Sequence, residues 1–470
     1  MSESKKKNGI KKNTAAELEI TAVSNLGYGV GRTDDGVVVF VPGAVTGDRV
    51  RTLIIKVTKS YCVGKLTEIL KSSDLRDTTD PCRAPATCGG CAYRAVKYGH
   101  ELELKYANVR AEFDKAGLPD AEILPVLCVK DKNGTPVTWR YRNKGQYRFA
   151  KTKNGIRAGF YASGTHRVAG DENCPLQPEI FGQIARFTCK FAEIHGITVY
   201  DEADGKGILR HLYLRSGAGE NGEIGVCLVI NGKTMPEADE YAAEIMKMFP
   251  RIVSVTLNIN LMSSNVILGD EYVTVAGKDG ITDVFCGKKL EVSPAAFYQV
   301  NHDAAELLCR TAAGMAQLSG GERLLDLYCG IGTVGLSMAE KVSELVGVEI
   351  VPQAVECAVR NAEVNRVGNA RFICADSADG AAALLSDPHY APDVIVLDPP
   401  RQGCAEELLH TLTACRAKKI VYISCNPATL ARDCAILAAD GWRMSPVQPV
   451  DLFPRTGHVE SVVLLSKSDK

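Results

Sequence analysis

Cys425 ends a short apolar, β-branched run, Ile420–Ile423, and is followed by Asn426-Pro427, a turn that opens onto the helix Ala428-Thr429-Leu430-Ala431-Arg432-Asp433. A thiol at the carboxyl end of a parallel strand stands where open α/β sheets hold their ligands. Sulfur is also the strongest side-chain nucleophile, although only a few per cent is thiolate at neutral pH. Most free cysteines are simply buried apolar groups, so the residue type alone does not define a nucleophile. Cys82, Cys88 and Cys91 form C-x5-C-x2-C around Gly89-Gly90, in a segment that also holds Pro81 and Pro85 and shows no periodicity. Thiolates gathered on such a loop suit a metal, and a fourth ligand is needed. Zinc and a [4Fe-4S] cluster both accept four cysteines, so ligand count leaves both open. The C-x3-C-x2-C spacing of radical enzymes is absent, so a cluster here would not be the source of a radical.

The elements that must position these groups follow from pattern. Arg323–Leu327 reads as a strand, Tyr328-Cys329-Gly330-Ile331-Gly332-Thr333 as a tight glycine loop, and 334–339 as the helix it opens. A second strand, Glu344–Gly347, ends at Val348-Glu349, where a carboxylate can bind ribose hydroxyls. The loop satisfies G-x-G-x-x-G at Gly330, Gly332 and Gly335, which taken alone also fits a dinucleotide. A third strand, Asp393–Leu397, ends in Asp398-Pro399-Pro400-Arg401, whose prolines stiffen the loop carrying the carboxylate. The spacing predicts a long helix entered at Ser293-Pro294-Ala295-Ala296-Phe297-Tyr298-Gln299-Val300-Asn301 and ending near Leu318.

Upstream, five short strands between Leu18 and Leu70, with turns at Asp34-Asp35-Gly36 and Pro42-Gly43, predict a small OB-like β-barrel. An amphipathic helix over 96–116 shows Leu102, Tyr106, Val109 and Phe113 at helical steps. Trp139-Arg140-Tyr141-Arg142-Asn143-Lys144 begins a strand that could stack or clamp RNA, or could equally be half-buried with a charged face. The chain has 470 residues, 46% hydrophobic and 24% charged, which is room for two or three globular domains. No apolar run is long enough for a membrane span and no signal peptide is evident, so a soluble, cytoplasmic protein without membrane contact is expected. Seventeen cysteines in such a chain point to thiols, ligands or catalysts more than to disulfides. A net charge of −1 confines nucleic-acid contact to local basic patches.

The run from Ser424 to Asp433 resembles, without a gap, the nucleophile motif of the S-adenosylmethionine-dependent RNA uracil-C5 methyltransferases. Leu26-Gly27-Tyr28-Gly29-Val30-Gly31-Arg32 and Pro42-Gly43-Ala44-Val45-Thr46-Gly47-Asp48 resemble a TRAM domain, an RNA-binding barrel appended to RNA-modifying enzymes. The resemblance implies that Cys425 attacks C6 of uracil. It implies that Glu460, in His458-Val459-Glu460, removes the C5 proton, although on composition alone Glu460 reads as an exposed strand glutamate. Asp398 would face the uracil edge or the reactive end of the cofactor. Gln299, Tyr328 and Glu349 match cofactor contacts, and Asp376 stands where related folds bind adenine. Cys174, in Asn173-Cys174-Pro175, matches the fourth ligand, and the implied group is a [4Fe-4S] cluster, with zinc as the alternative.

The implied architecture is multidomain. It comprises a basic tail over 1–13, a TRAM β-barrel over 14–72, an α+β central domain with the cysteine-ligated cluster over 73–290, and a seven-strand Rossmann-like α/β methyltransferase domain over 291–470. A barrel together with four cysteines is similar to the 23S ribosomal RNA uracil-C5 methyltransferases, acting on RNA as a monomer and giving 5-methyluridine. The alternatives are the same chemistry on tRNA, a non-catalytic RNA-binding protein that keeps the fold, or a nicotinamide-dependent iron-sulfur oxidoreductase. The target atom is inaccessible in a stacked helix, so the base must come from a loop or be flipped out. The wording of Gly170–Asn173 and Arg455–Gly457 departs mildly from the family pattern.

Overall fold

A computed structural model describes residues 11–84, 88–170 and 172–467. Of the basic tail expected over 1–13, residues 1–10 therefore lie outside the described residues. The chain begins with β1 (Ala15–Val23), β2 (Tyr28–Arg32), β3 (Val38–Pro42), β4 (Arg49–Val57) and β5 (Tyr61–Lys71). They close into a barrel in the order β1-β2-β3-β5-β4. Alternate residues point inward, so Leu18, Ile20, Val39, Val41, Val50 and Ile54 fill its core while the intervening positions face water.

Helix α1 (Tyr98–Lys115) follows the cysteine loop. Its buried stripe is Glu101, Lys105, Val109 and Phe113, not the purely apolar set expected from spacing; Tyr106 is exposed. The shift has an electrostatic cause. Lys105 Nζ donates to Glu101 Oε1 at 2.7 Å and to Asp451 Oδ1 at 2.6 Å, and all three side chains are withdrawn from solvent. Lys105→Met would leave two buried carboxyls without a cation, an uncompensated charge that costs about 3–5 kcal/mol. We expect a correspondingly lower unfolding temperature in calorimetry.

The central unit is a six-stranded sheet ordered β11-β10-β9-β8-β6-β7. Its elements in chain order are β6 (Lys144–Thr152), β7 (Gly155–Gly159), α2 (Glu179–Ile194), β8 (Leu209–Ser216), β9 (Ile224–Ile230), α3 (Ala238–Met248), β10 (Ile252–Ile259) and β11 (Glu271–Gly277). One face carries α2 and α3 over Phe181, Ile184, Leu212, Leu228 and Val255. The hairpin β12 (Ile281–Phe285) and β13 (Lys288–Val292) then adds Phe285 and Leu290 to the core of the C-terminal unit.

That unit comprises α4 (His302–Ala316), β14 (Arg323–Leu327), α5 (Thr333–Met338), β15 (Glu344–Glu349), α6 (Pro352–Val364), β16 (Ala370–Cys374), α7 (Ser377–Ser386), β17 (Val394–Leu397), α8 (Glu406–Ala414), β18 (Lys419–Ser424), α9 (Pro427–Ala439), β19 (Arg443–Met444), β20 (Gln448–Val450) and β21 (Glu460–Ser466). The sheet order is β16-β15-β14-β17-β18-β21-β19, with β20 also paired to β21. Strands β14 to β18 are parallel and β21 is antiparallel. Near-continuous apolar strands such as Val394–Leu397 and Ile420–Ile423 are what a sheet covered on both faces requires. Successive connections leave β14 on opposite sides, so the ligand crevice opens at the carboxyl ends of β14 and β17. The helix expected from Ser293 begins only at His302. Asn301 is its N-cap, the side chain accepting from the Ala304 N–H, which leaves 293–301 as an entering loop. No helix among the described residues is long and apolar enough to cross a membrane.

Candidate active site and cysteine cavity

The carboxyl edge of the parallel strands gathers most of the residues singled out from sequence. Tyr328 follows β14, Glu349 ends β15, Asp376 follows β16 and caps α7, Asp398 follows β17, and Cys425 follows β18. Because β21 runs the other way, its first residue, Glu460, lies at the same edge. Ser424 pairs with Ser461, so Cys425 and Glu460 are the next positions along the same register. Gln299 sits in the loop entering α4, its carbonyl accepting from Asn143 Nδ2 at 3.0 Å. Asn301, two residues on, donates to the Leu452 carbonyl and so ties that loop to the segment after β20.

The wording after Cys425 has a local structural reason. Asn426 caps α9 through the Ala428 N–H and donates from Nδ2 to the Arg401 carbonyl at 2.8 Å. Arg432 Nη2 donates to the carbonyls of Gln402 and Cys404. Buried Asp433 accepts from the Cys404 N–H at 2.9 Å, from Tyr422 Oη at 2.5 Å and from Arg432 Nε at 2.7 Å. These bonds join the helix behind the thiol to the loop that carries Asp398 and Arg401. Gly403 turns there at φ +79, in close contact with Arg432 and Asp433. Asp433→Ala would strand donors that cost about 1–3 kcal/mol each when unpaired and buried. We expect a lower melting temperature together with slower catalysis.

The glycine loop is shaped for a ligand. Gly330 has φ +56 and open space where a side chain would stand. Its N–H donates to Glu349 Oε2 at 3.0 Å, while Glu349 Oε1 accepts from the Val351 N–H at 2.9 Å. Tyr328 is held at φ +68, a left-handed conformation costly for a tyrosine, beside Ser377 and Cys404. Asp326, 1% exposed, accepts from the Gly335 N–H with Oδ2, whereas its Oδ1 has no partner. Burial and the charges of Asp398 and Glu349 push its carboxyl up to about 8. An orphaned carboxyl oxygen beside an open glycine cradle and a strand-end glutamate fits a cationic nucleoside such as S-adenosylmethionine. Exposed Ile350, next to Glu349, offers an apolar wall that sequence pattern did not single out.

Around the thiol the charges are predominantly negative. Burial, then the charges of Glu460 and Asp398, push Cys425 up to about 11, against the opposing effect of Arg401. Burial and Asp398 push Glu460, 4% exposed, up to about 8, again opposed by Arg401. Burial raises Asp398 to about 7. Glu460 is therefore not the solvent-facing strand residue its composition suggests. Arg401 is the cation of the group, and its place in Asp398-Pro399-Pro400-Arg401 was the available signal.

Cys82, Cys88, Cys91 and Cys174 line one cavity of about 660 Å3, with Arg142 and Lys144 on its wall. All four are free thiols. Cys82, Cys91 and Cys174 are raised by burial first, and the charges of neighbouring thiols add to the shift in Cys91 and Cys174. Four soft sulfur donors on the wall of one cavity are the ligand chemistry that zinc or an iron-sulfur cluster takes. Among the described residues, no group of three or more His, Cys, Asp or Glu side chains is gathered closely enough to hold a metal ion. The aromatic residues ahead of β6 make contacts within the protein. Tyr141 is buried and donates to the Pro454 carbonyl at 2.8 Å, and the Trp139 ring lies under Arg455 at 4.6 Å.

A doubly wound sheet with a glycine cradle, an acidic second-strand end and a thiol beside carboxylates defines a nucleotide-dependent group-transfer enzyme. The chain belongs to the tRNA (Uracil-5-)-methyltransferase family, whose model matches residues 221–468, and a TRAM domain model matches residues 11–67. It is similar to an uncharacterized RNA methyltransferase of Clostridium tetani, 37% identical over 457 residues covering 97% of each chain. Another, from Bacillus cereus, is 36% identical over 466 residues and 98% of each chain. Among solved structures it resembles the Pyrococcus abyssi tRNA (uracil-54, C5)-methyltransferase in complex with S-adenosyl-L-homocysteine. The TM-score is 0.77 at 25% identity, covering 96% of this chain and all of that one. The protein is thus an RNA (uracil-C5)-methyltransferase that uses S-adenosylmethionine, with an RNA-binding TRAM barrel at its N-terminal end.

Proposed function

We propose that the protein methylates C5 of a uridine in 23S ribosomal RNA through a transient bond between Cys425 Sγ and C6 of the ring. The observation that carries this reading is the juxtaposition of Cys425 and Glu460 across β18 and β21, with Asp398 on the adjoining strand end. Uracil C5 is a poor nucleophile. Addition of the Cys425 thiolate to C6 breaks the C5=C6 double bond and places an electron pair on C5 and O4 as an enolate. S-adenosylmethionine supplies the methyl group as an electrophilic sulfonium carbon. The Glu460 carboxylate then takes the C5 proton, C5=C6 re-forms and the Cys425 sulfur leaves with its electron pair. Asp398, kept close to protonation by burial, can share a proton with the uracil edge. Arg401 opposes the negative field that otherwise holds the thiol protonated.

Gln299, Tyr328, Glu349 and Asp376 would hold the cofactor, Glu349 at the ribose and Asp376 with Ile350 near the adenine. Cys82, Cys88, Cys91 and Cys174 would ligate a [4Fe-4S] cluster that staples the loop ahead of α1 to the central domain, zinc being the competing occupant. Protein purified without oxygen should contain iron and sulfide in equal amounts and a broad visible absorbance that Cys91→Ser removes. Zinc without that absorbance would reverse the assignment.

The ribosomal target rests on the resemblance of the barrel and four cysteines together to the 23S RNA enzymes; the Pyrococcus abyssi relative, which matches 96% of this chain, acts, by its name, on tRNA. Labelled cofactor should therefore be offered with 23S RNA and with tRNA side by side, using the monomeric protein expected in light scattering. Methylation of tRNA alone would overturn the target. With RNA carrying 5-fluorouridine, mass spectrometry should find the ring on the peptide containing Cys425, and its absence would overturn the covalent route.

A further inference from the structure

Glu460 begins β21 and pairs with Val450 of β20, so its position depends on that pairing and on the segment 451–459 that joins the two strands. That segment is held from outside the catalytic sheet, and Arg455 is where the ties converge. Arg455 is 4% exposed and adopts φ +71, a left-handed conformation unfavourable for a long side chain. Its N–H donates to Glu101 Oε1 at 2.7 Å, and its carbonyl accepts from the Tyr93 N–H at 3.0 Å, two residues after Cys91. Nη1 pairs with Asp77 Oδ2 at 2.8 Å and donates to the Val96 carbonyl at 3.1 Å. Nη2 donates to Thr138 Oγ1 at 3.3 Å, and the guanidinium lies over the Trp139 ring.

The neighbours of Arg455 are tied in the same way. Lys105 also donates to the Phe453 carbonyl at 3.1 Å, and Tyr98 Oη donates to Asp451 Oδ2 at 2.8 Å. A side-chain carbon at Gly457 would overlap the Asn25 carbonyl in the barrel's first turn. The Cys425 side of the site is built differently. It is stitched through Asn426, Arg432 and Asp433 to the 401–404 loop. The hydrogen bonds and ion pair of Arg455 all go to residues 77–138, none of them in that stitching.

We propose that Arg455 is the positioning residue through which the cysteine loop and α1 fix Glu460 against the nucleophile. The inference rests on the covalent reading above and deepens it: nucleophile and base share the β18–β21 pairing, but each has its own set of ties outside it. Loosening the Arg455 scaffold impairs proton removal while leaving attack at C6 intact, so the covalent adduct accumulates.

The test uses the full-length protein with ordinary uridine RNA, measuring turnover, melting temperature and the fraction of protein in a denaturant-resistant RNA adduct. Arg455→Met keeps the stem over Trp139 and removes every guanidinium donor. Turnover should fall on the order of 100-fold, the scale of a misplaced catalytic group. The adduct fraction should meanwhile rise above that of the parent, and Arg455→Lys should restore part of the rate. Turnover and adduct falling together in a folded protein, or turnover within about twofold of the parent, would overturn the assignment. If Arg455→Met does not fold, Asp77→Asn removes only the ion pair and must show the same opposed changes in smaller measure. A fall in both there also overturns it. Failure of the covalent reading is separately visible, because Glu460→Gln would then accumulate no adduct although the parent methylates RNA.

Discussion

Replacing Cys425 by alanine is expected to lower methyl transfer by on the order of 10⁴- to 10⁶-fold, the loss seen when an enzyme's nucleophile is removed. The size of the effect follows from the chemistry, because without addition at C6 the C5 carbon has no enolate electron pair to offer. Binding of the cofactor should stay within about threefold of the parent, a small fraction of its binding free energy. Asp326 and Glu349 are on β14 and β15 and the glycine cradle follows β14, whereas Cys425 follows β18, two strands away from β14. Labelled-methyl transfer and calorimetric titration of S-adenosylmethionine read the two quantities. Turnover retained within tenfold of the parent would end the nucleophilic role.

Glu460→Gln should give the second largest effect and a different signature. Glutamine keeps the shape but cannot accept a proton, so turnover should fall about 10²- to 10⁴-fold, the contribution of a general base. Addition at C6 survives, and the protein should migrate with its RNA on a denaturing gel. The pH dependence has a definite sign. Burial and the Asp398 charge raise the Glu460 carboxyl to about 8, so the proton-accepting form is the minor one at neutral pH and is depleted further as pH falls. A rate limited by proton removal should climb about tenfold per pH unit below that value and level off above it. A flat profile between pH 6 and 9 would contradict the assignment.

The catalytic sheet was legible because its strands are short apolar runs whose ends carry polar punctuation. Tyr328, Glu349, Asp398 and Cys425 each follow or end such a run, and in a doubly wound sheet such positions share one edge. Less was legible where two distant stretches make one feature. The stripe of α1 includes Glu101 and Lys105 because Asp451 completes their ion pair, 346 residues beyond Lys105. No local periodicity signals that. The helix expected from Ser293 starts only at His302, because the residue that caps it is Asn301. Trp139 and Tyr141 suggested stacking on RNA from type and alternation alone. The structure uses both internally, under Arg455 and against the Pro454 carbonyl.

The approach of Gly457 to the Asn25 carbonyl bears on how such enzymes can be rebuilt. A β-barrel at one end of a chain invites treatment as a detachable cassette, to be traded between relatives for new target preference. Here the seam passes within a few residues of the proton acceptor, so a transplanted barrel with a different first turn would disturb the chemistry as well as the grip. Productive chimeras should be those in which donor turn and recipient 451–458 segment come from the same parent.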